Sequence, residues 1–346
     1  MTIPTIHRVL LLRKFGGPVG FTWVERPIPQ PGVGEVLVKV LAASVQYTDV
    51  IVRKGLYPGL GDEPPLVLGY DLVGEVVQVG PAVHGVSLGQ RVAALTTTGS
   101  YAQYRTLRAD QVVPVDAALD AGQVTTLVVS WVTAYQLLHR EAQVRKGQKL
   151  LVIGAAGAVG QALVVLGQLA GCVVWGASHA RHAAFVRRLG ATHVDSDLSD
   201  FAKVLPSGFD VVFDGIGEDG FSRAWLAVKQ TGQLSAYGFA AGVRRGVPIA
   251  MLGFWRAKLW WWNRFSAGRR ATFMSITALR KAQPEWFRED LLTLIGMLGR
   301  GEIRPRVAER IGLGAVAGAH LRLERGGLEG KIVLIPNQPT LVTAGP

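Results

Sequence analysis

The sequence predicts an α/β protein of two domains, a β-rich barrel-like domain and a doubly wound parallel sheet. Three observations carry that expectation. The chain has 346 residues, against roughly 100–200 for a typical domain. Short β-type runs broken by Gly and Pro fill the first part, to about residue 110, and a regular alternation of strand and helix patterns begins near residue 150. With 49% hydrophobic and 18% charged residues there is ample apolar material for packed cores, which excludes a disordered or fibrous chain.

Taken in order, the N-terminal MTIPTIHRVLLLRKFGG has a short apolar core broken by Arg13 and Lys14 and no small-residue cleavage site, so no secretory signal is read there. Runs such as EVLVKVLAASV, DLVGEVVQVG and RVAALTTT then alternate with punctuation such as Pro27, Pro29, Pro31, Gly32 and Gly34. From Val124 the segment VTTLVVSWVTAYQLLHR is apolar nearly all round a helix, which predicts burial on most sides. Strand LLVIG, a helix from Gly157, strand CVVWGA, a helix over 180–189, and strands THV, FDVVFD and QLSAYG follow at the spacing of a parallel sheet. Residues Leu150 to Ala180 contain no Asp, Glu, Lys or Arg, yet repeated glycines and β-rich ends mark a buried βαβ unit rather than a membrane span.

The segment from Gly242 to Arg270 departs from this rhythm by mixing aromatics and cations in FWRAKLWWWNRF. RRATFMSIT reads as one more strand, Pro284 to Arg300 as a helix with Pro at its first position, and GKIVLIP as the closing strand before a polar tail, NQPTLVTAGP. The expected domains are 1–123 with 303–346, and 124–302. Cys172 is the single cysteine, which rules out an intrachain disulfide or a cysteine-based zinc cluster and fits a reducing cytoplasm. The formal charge of +12 favours anionic partners, whether cofactor phosphates, nucleic acid or an acidic membrane face.

Strand LLVIG runs into Ala155-Ala156-Gly157-Ala158-Val159-Gly160 and then a helix, the context that a dinucleotide-binding turn requires. Gly157 lets backbone N–H groups approach a pyrophosphate, and Gly160 lets the helix pack on the strand. A tight turn that binds nothing is the plainer alternative. The end of the second strand, where an acidic residue normally takes the ribose hydroxyls, carries Ser178, followed by His179, Arg181 and His182. A hydroxyl beside a guanidinium suits a 2′-phosphate, so NADPH is expected over NADH, although Arg181 also reads as a solvated first-turn residue.

Gln46-Tyr47-Thr48-Asp49, Arg53, Gly55-Leu56-Tyr57-Pro58, LGYDLVGEVVQVG with LGQRVAAL, and GAAGAVG occur in order along the chain. Together they resemble the medium-chain dehydrogenase/reductase superfamily and, within it, the quinone oxidoreductase group; the Trp-rich insert is also similar to the vesicle amine transport protein 1 branch. The resemblance implies a GroES-like β-barrel catalytic domain with a Rossmann cofactor domain, and a homodimer, for which RRATFMSIT offers an edge strand. Zinc-dependent relatives place ligands where Gln46, Tyr70-Asp71 and a residue near Val129 lie; Gln46 and Tyr70 are poor zinc ligands, so a zinc-free enzyme is expected, with Asp71 hydrogen-bonded instead.

Without a Lewis acid the feasible hydride chemistry is reduction of activated acceptors, namely quinones, enones or α,β-unsaturated thioesters. Tyr57 matches a tyrosine bordering the substrate cleft in quinone reductases and is the first candidate proton donor, an aromatic wall being the alternative. Gln46 stands where those enzymes carry an asparagine, and its amide can polarise an acceptor oxygen. Thr133 matches a threonine near the nicotinamide, and Lys331 a basic residue near the cofactor, with helix back-bonding and a solvated lysine as the alternatives. Thr48 and Asp49 are expected to hold their loop. His7, His84, His139, His193 and His320 show no metal spacing and read as surface or capping residues, and Cys172 as an inert core thiol. Two other readings stay open: a specialised biosynthetic enoyl or enone reductase, and a non-catalytic NADPH-binding scaffold for nucleic acid or anionic membrane.

Overall fold

The computed structural model describes residues 3–57, 63–197, 208–247 and 249–337, so Pro58 and the tail from residue 338 lie outside the described residues. The chain forms two compact units, 1–129 with 291–346, and 130–290. The sequence-based boundaries at 123/124 and 302/303 fall six and twelve residues away from these crossings, each of which lies inside a helical stretch.

The first unit is mostly antiparallel. Strands β1 (Ile6–Leu12), β2 (Phe21–Pro27) and β4 (Leu66–Val67) make one small sheet in the order β2-β1-β4. The larger sheet centres on β3 (Glu35–Val45), which pairs antiparallel with β5 (Asp71–Val79), β7 (Tyr104–Arg108) and β16 (Lys331–Leu334). β6 (Arg91–Leu95) and β8 (Val113–Pro114) extend it beyond β5, and β15 (Val307–Ile311) runs parallel to β16 at the other edge. Alternating apolar residues such as Val36, Val38 and Val40 on β3 meet Leu72, Val76 and Ile332 in one core, which explains why this part of the sequence reads with a period of two. The pairing of β3 with β16 brings residues near 45 beside residues near 332, a junction no local pattern announces.

The second unit is a parallel six-stranded sheet in the order β11-β10-β9-β12-β13-β14. Its strands are β9 (Lys149–Ile153), β10 (Val173–Ser178), β11 (Thr192–Asp195), β12 (Phe209–Asp214), β13 (Val228–Ala236) and β14 (Arg270–Phe273), every pairing parallel. The chain winds outward one way from β9 and then the other way from β12, the doubly wound order that leaves a crevice at the carboxyl ends where it reverses. The uncharged stretch from Leu150 is a βαβ unit, β9, helix Ala158–Leu169 and β10, and no helix among the described residues is long and apolar enough to cross a membrane. The Trp-rich segment is a helix, Ile249–Phe265, and RRATFMSIT supplies the edge strand β14. The expected helix at Pro284 spans Pro284–Gly299. The apolar segment after Val124 is helical as expected, but two wider π-turn stretches, Leu127–Trp131 and Gln136–Glu141, interrupt its α-helical spacing.

Candidate functional site

In the first unit five elements converge on Asp71, the first residue of β5, which is fully buried. Its Oδ1 accepts from the Ser44 N–H at 2.7 Å and the Thr125 hydroxyl at 2.9 Å; its Oδ2 accepts from the Ser44 hydroxyl at 2.5 Å and Gln46 Nε2 at 2.6 Å. Thr125 is delivered by helix Ala121–Thr126, whose N-cap Asp120 accepts from the Gln123 N–H at 2.8 Å. Gln46 Nε2 also donates to the Ser44 hydroxyl at 2.5 Å, so both amide hydrogens are committed inside the cluster, while Lys331 Nζ donates to Gln46 Oε1. Lys331 is therefore buried in this network, not solvated.

A second buried carboxylate adjoins the first. Asp49, at the third position of helix Tyr47–Arg53, accepts from the Gln46 N–H at 2.8 Å, the Tyr101 hydroxyl at 3.0 Å and the Gly69 N–H at 3.2 Å, so it ties its own loop to two others. Burial pushes Asp49 up to about 7, against the Gln46 and Tyr101 donors that pull it down. Burial likewise raises Asp71, opposed first by the Lys331 charge, and lowers Lys331 to about 8, opposed by both carboxylates. Two carboxyl groups and one amine thus share a buried site, where each depends on the others for its charge.

Tyr57 is partly buried, and its hydroxyl lies 2.6 Å from that of Tyr70, a fully buried residue one position before Asp71. The histidine expectation needs correcting at two positions. His7 and His320 are buried, His7 edge-on to Tyr104 and His320 with Nε2 3.4 Å from the Tyr101 hydroxyl. Isolated histidines carry no sequence signal for burial when their partners arrive from distant strands; desolvation holds His320 down at about 3.

The second unit supplies a different kind of site. Gly154, at φ +86°, ends β9 and turns the chain; its carbonyl accepts from the Gly157 N–H at 2.9 Å. A Cβ on Gly160 would lie 2.2 Å from Gly154 O and 2.8 Å from Ala155 Cα, so only glycine allows the helix to pack so close to the turn. Ala156 is buried, its carbonyl held by Gln161 Nε2 at 2.8 Å; Ala158 and Val159 open the helix behind Gly157, and no side chain caps that end. An uncapped helix start after a tight glycine turn presents backbone donors and the positive end of the helix dipole, a cradle that fits a pyrophosphate.

Ser178 ends β10 and is buried; its hydroxyl lies 3.1 Å from His193 Nε2, whose own strand, β11, runs alongside. Arg181 is exposed in the next turn, with Nε donating to His182 at 3.2 Å, and Thr133 is buried in the helical run of the same unit. Sequence reasoning missed Ser44, Thr125 and Tyr101, and saw in Tyr70 only a poor zinc ligand. Only Gln46 with Asp49 three residues later gave a local signal, that of a capping box.

Residues 32–117 match the alcohol dehydrogenase GroES-like domain family, and residues 189–334 the zinc-binding dehydrogenase family. The donor set does not fit a zinc ion: Gln46 and Tyr70 offer neutral groups, Val129 none, and both Asp71 oxygens already accept two donors each. A 2-haloacrylate reductase from a Burkholderia species is 33% identical over 250 residues, 69% of this chain and 75% of that one. A quinone oxidoreductase from Pseudomonas aeruginosa is 29% identical over 334 residues, 93% and 97% of the two chains. The rat synaptic vesicle membrane protein VAT-1 homolog is 28% identical over 346 aligned residues, 95% and 84%. Among solved structures, a mycobacterial protein in complex with NADPH superposes with a TM-score of 0.82 at 27% identity, over 95% of this chain and all of that one.

Proposed function

The chain belongs to the medium-chain dehydrogenase/reductase superfamily, in its quinone oxidoreductase group, and from that premise we propose an NADPH-dependent, zinc-independent oxidoreductase acting on a quinone or an α,β-unsaturated carbonyl compound. The observation that carries the reading is the approach of Gly160 to Gly154 at the head of an uncapped helix. Bound NADPH supplies the hydride.

In this reading the backbone from Ala156 to Gly160 holds the pyrophosphate, and Ser178 with Arg181 takes the 2′-phosphate through a hydroxyl and a forked guanidinium. Thr133 serves the nicotinamide end. Tyr57 donates the proton that an enolate or hydroquinone oxygen requires, its hydroxyl oriented by Tyr70. Gln46 and Lys331 act from behind. With both Gln46 amide hydrogens spent on Ser44 and Asp71, these residues fix the floor of the acceptor site and do not polarise the acceptor directly.

Fluorescence titration with NADPH and NADH, followed by absorbance decay with a small quinone and a small enone, tests the proposal. The expected result is oxidation of NADPH that a chelator does not slow, with NADH bound much more weakly. Arg181→Ala should narrow that preference, and Tyr57→Phe should lower kcat more than KM. Binding of neither nucleotide would overturn the cofactor assignment, and loss of turnover on chelation would overturn zinc independence.

A further inference from the structure

Residues 220–284 contain no Asp or Glu while carrying eleven Lys and Arg, so this stretch accounts for nearly all of the chain's formal charge of +12. At its centre lies the helix Ile249–Phe265. One side of that helix is anchored: Leu259 is buried, Trp262 stacks on Trp225 with ring centroids 5.0 Å apart, and Lys258 Nζ donates to Gly220 O at 3.0 Å. The other side is open. Phe254, Trp261 and Phe265 are 63%, 56% and 57% exposed, and spacings of seven and four residues return them to one face; Trp260, 63% exposed, lies beside them. Arg264, beside this strip, has its guanidinium over the Phe265 ring at 5.4 Å, while Arg256 and Arg269 lie over Phe273 and Trp225, rings packed on the anchored side.

We propose that this helix face docks on an anionic lipid bilayer surface, its exposed aromatics entering the interfacial layer while the surrounding cations meet lipid phosphates and carboxylates. A helix anchored on one side, with aromatics on the other and no acid within the stretch, has the composition that lies flat in a headgroup layer. A symmetric contact between two copies of this face would set cation against cation with no carboxylate from the stretch between them. A nucleic-acid strand would pair with the charge, but it leaves three exposed aromatic side chains without an apolar phase to enter.

The full-length protein should co-sediment with vesicles of phosphatidylcholine mixed with phosphatidylserine and not with phosphatidylcholine alone. Binding should weaken with added salt, and tryptophan emission should be quenched by brominated acyl chains. Arg264→Gln should weaken vesicle binding by about fivefold, and Arg264→Glu by more. Trp261→Ser with Phe265→Ser should abolish it, while circular dichroism and the melting temperature report whether the fold is kept; the arginine variants carry the test if it is not. Failure to bind anionic vesicles at low salt would overturn the proposal, as would binding to an oligonucleotide in their place. So would a concentration-dependent dimer, seen by light scattering, that Trp261→Ser dissolves.

Discussion

The Asp71 cluster of the first unit holds charge, and the Gly154–Gly160 turn of the second is proposed to hold it too, in the opposite way. The cluster uses side chains: a fully buried carboxylate is met by four donors, with Lys331 reaching in through Gln46. The turn uses almost none. Its tools are a left-handed glycine, a helix start without a side-chain cap and the missing Cβ of Gly160. A preformed cluster whose carboxylates are met by its own donors stiffens a site and fixes what stands beside it, whereas a cradle of backbone donors would have its requirement met by an incoming anion.

The difference sets the order of the expected effects. Lys331→Met should be the most damaging change, because it leaves Asp71 and Asp49 buried without the cation that offsets them. Breaking one partner out of such a group costs about 3–5 kcal/mol, to be measured by denaturant unfolding. Combining it with Asp71→Asn should recover part of the loss, since the double variant no longer buries that carboxylate. A cost below about 1 kcal/mol for Lys331→Met would show that the two carboxyl groups are held neutral and that the amine compensates nothing.

Gly160→Ala should come next. The added Cβ meets backbone atoms of Gly154 and Ala155, which cannot rotate away, so an overpacking cost of about 1–3 kcal/mol is expected together with loss of NADPH affinity. Gly157→Ala is the matched control, because its Cβ would meet only Gly154 O, at 3.2 Å. It should keep most of the stability. Equal melting temperatures for the two variants would remove the distinction between a turn that must pack closely and one that merely bends.

The same contrast explains what could be read from the sequence. The turn is local: strand, glycines and helix follow within a dozen residues, and β9, helix Ala158–Leu169 and β10 stand where the pattern put them. The place of Ser178 at the end of β10 was legible too, because the end of the second strand is a fixed distance from the turn. The cluster is not local. Gln46 and Lys331 are 285 residues apart, and the strand pairing of β3 with β16, which brings them together, has no signature in either segment. Lys331 in GKIVL reads as a charge beside a strand until its partner is known, and His320 reads as a polar helix residue until Tyr101 faces it. Even family resemblance, which marked Gln46, Tyr57 and Lys331 one by one, did not show that Gln46 spends its amide on Ser44 and Asp71.

The smallest effect concerns the edge of the cluster, where side-chain chemistry meets a partly exposed group. Tyr70→Phe removes the hydroxyl 2.6 Å from that of Tyr57 and leaves the buried ring in place. A hydrogen bond of this kind is worth about 0.5–1.5 kcal/mol in stability, and water can replace the lost partner of a half-exposed hydroxyl, so the lower end is expected. Its kinetic effect should be sharper than its thermodynamic one. If Tyr70 orients the proton donor, Tyr70→Phe lowers kcat while leaving nucleotide affinity unchanged, and adding it to Tyr57→Phe costs nothing further. Additive losses would instead separate the two tyrosines, making Tyr57 a wall residue and Tyr70 part of the buried frame that carries Asp71.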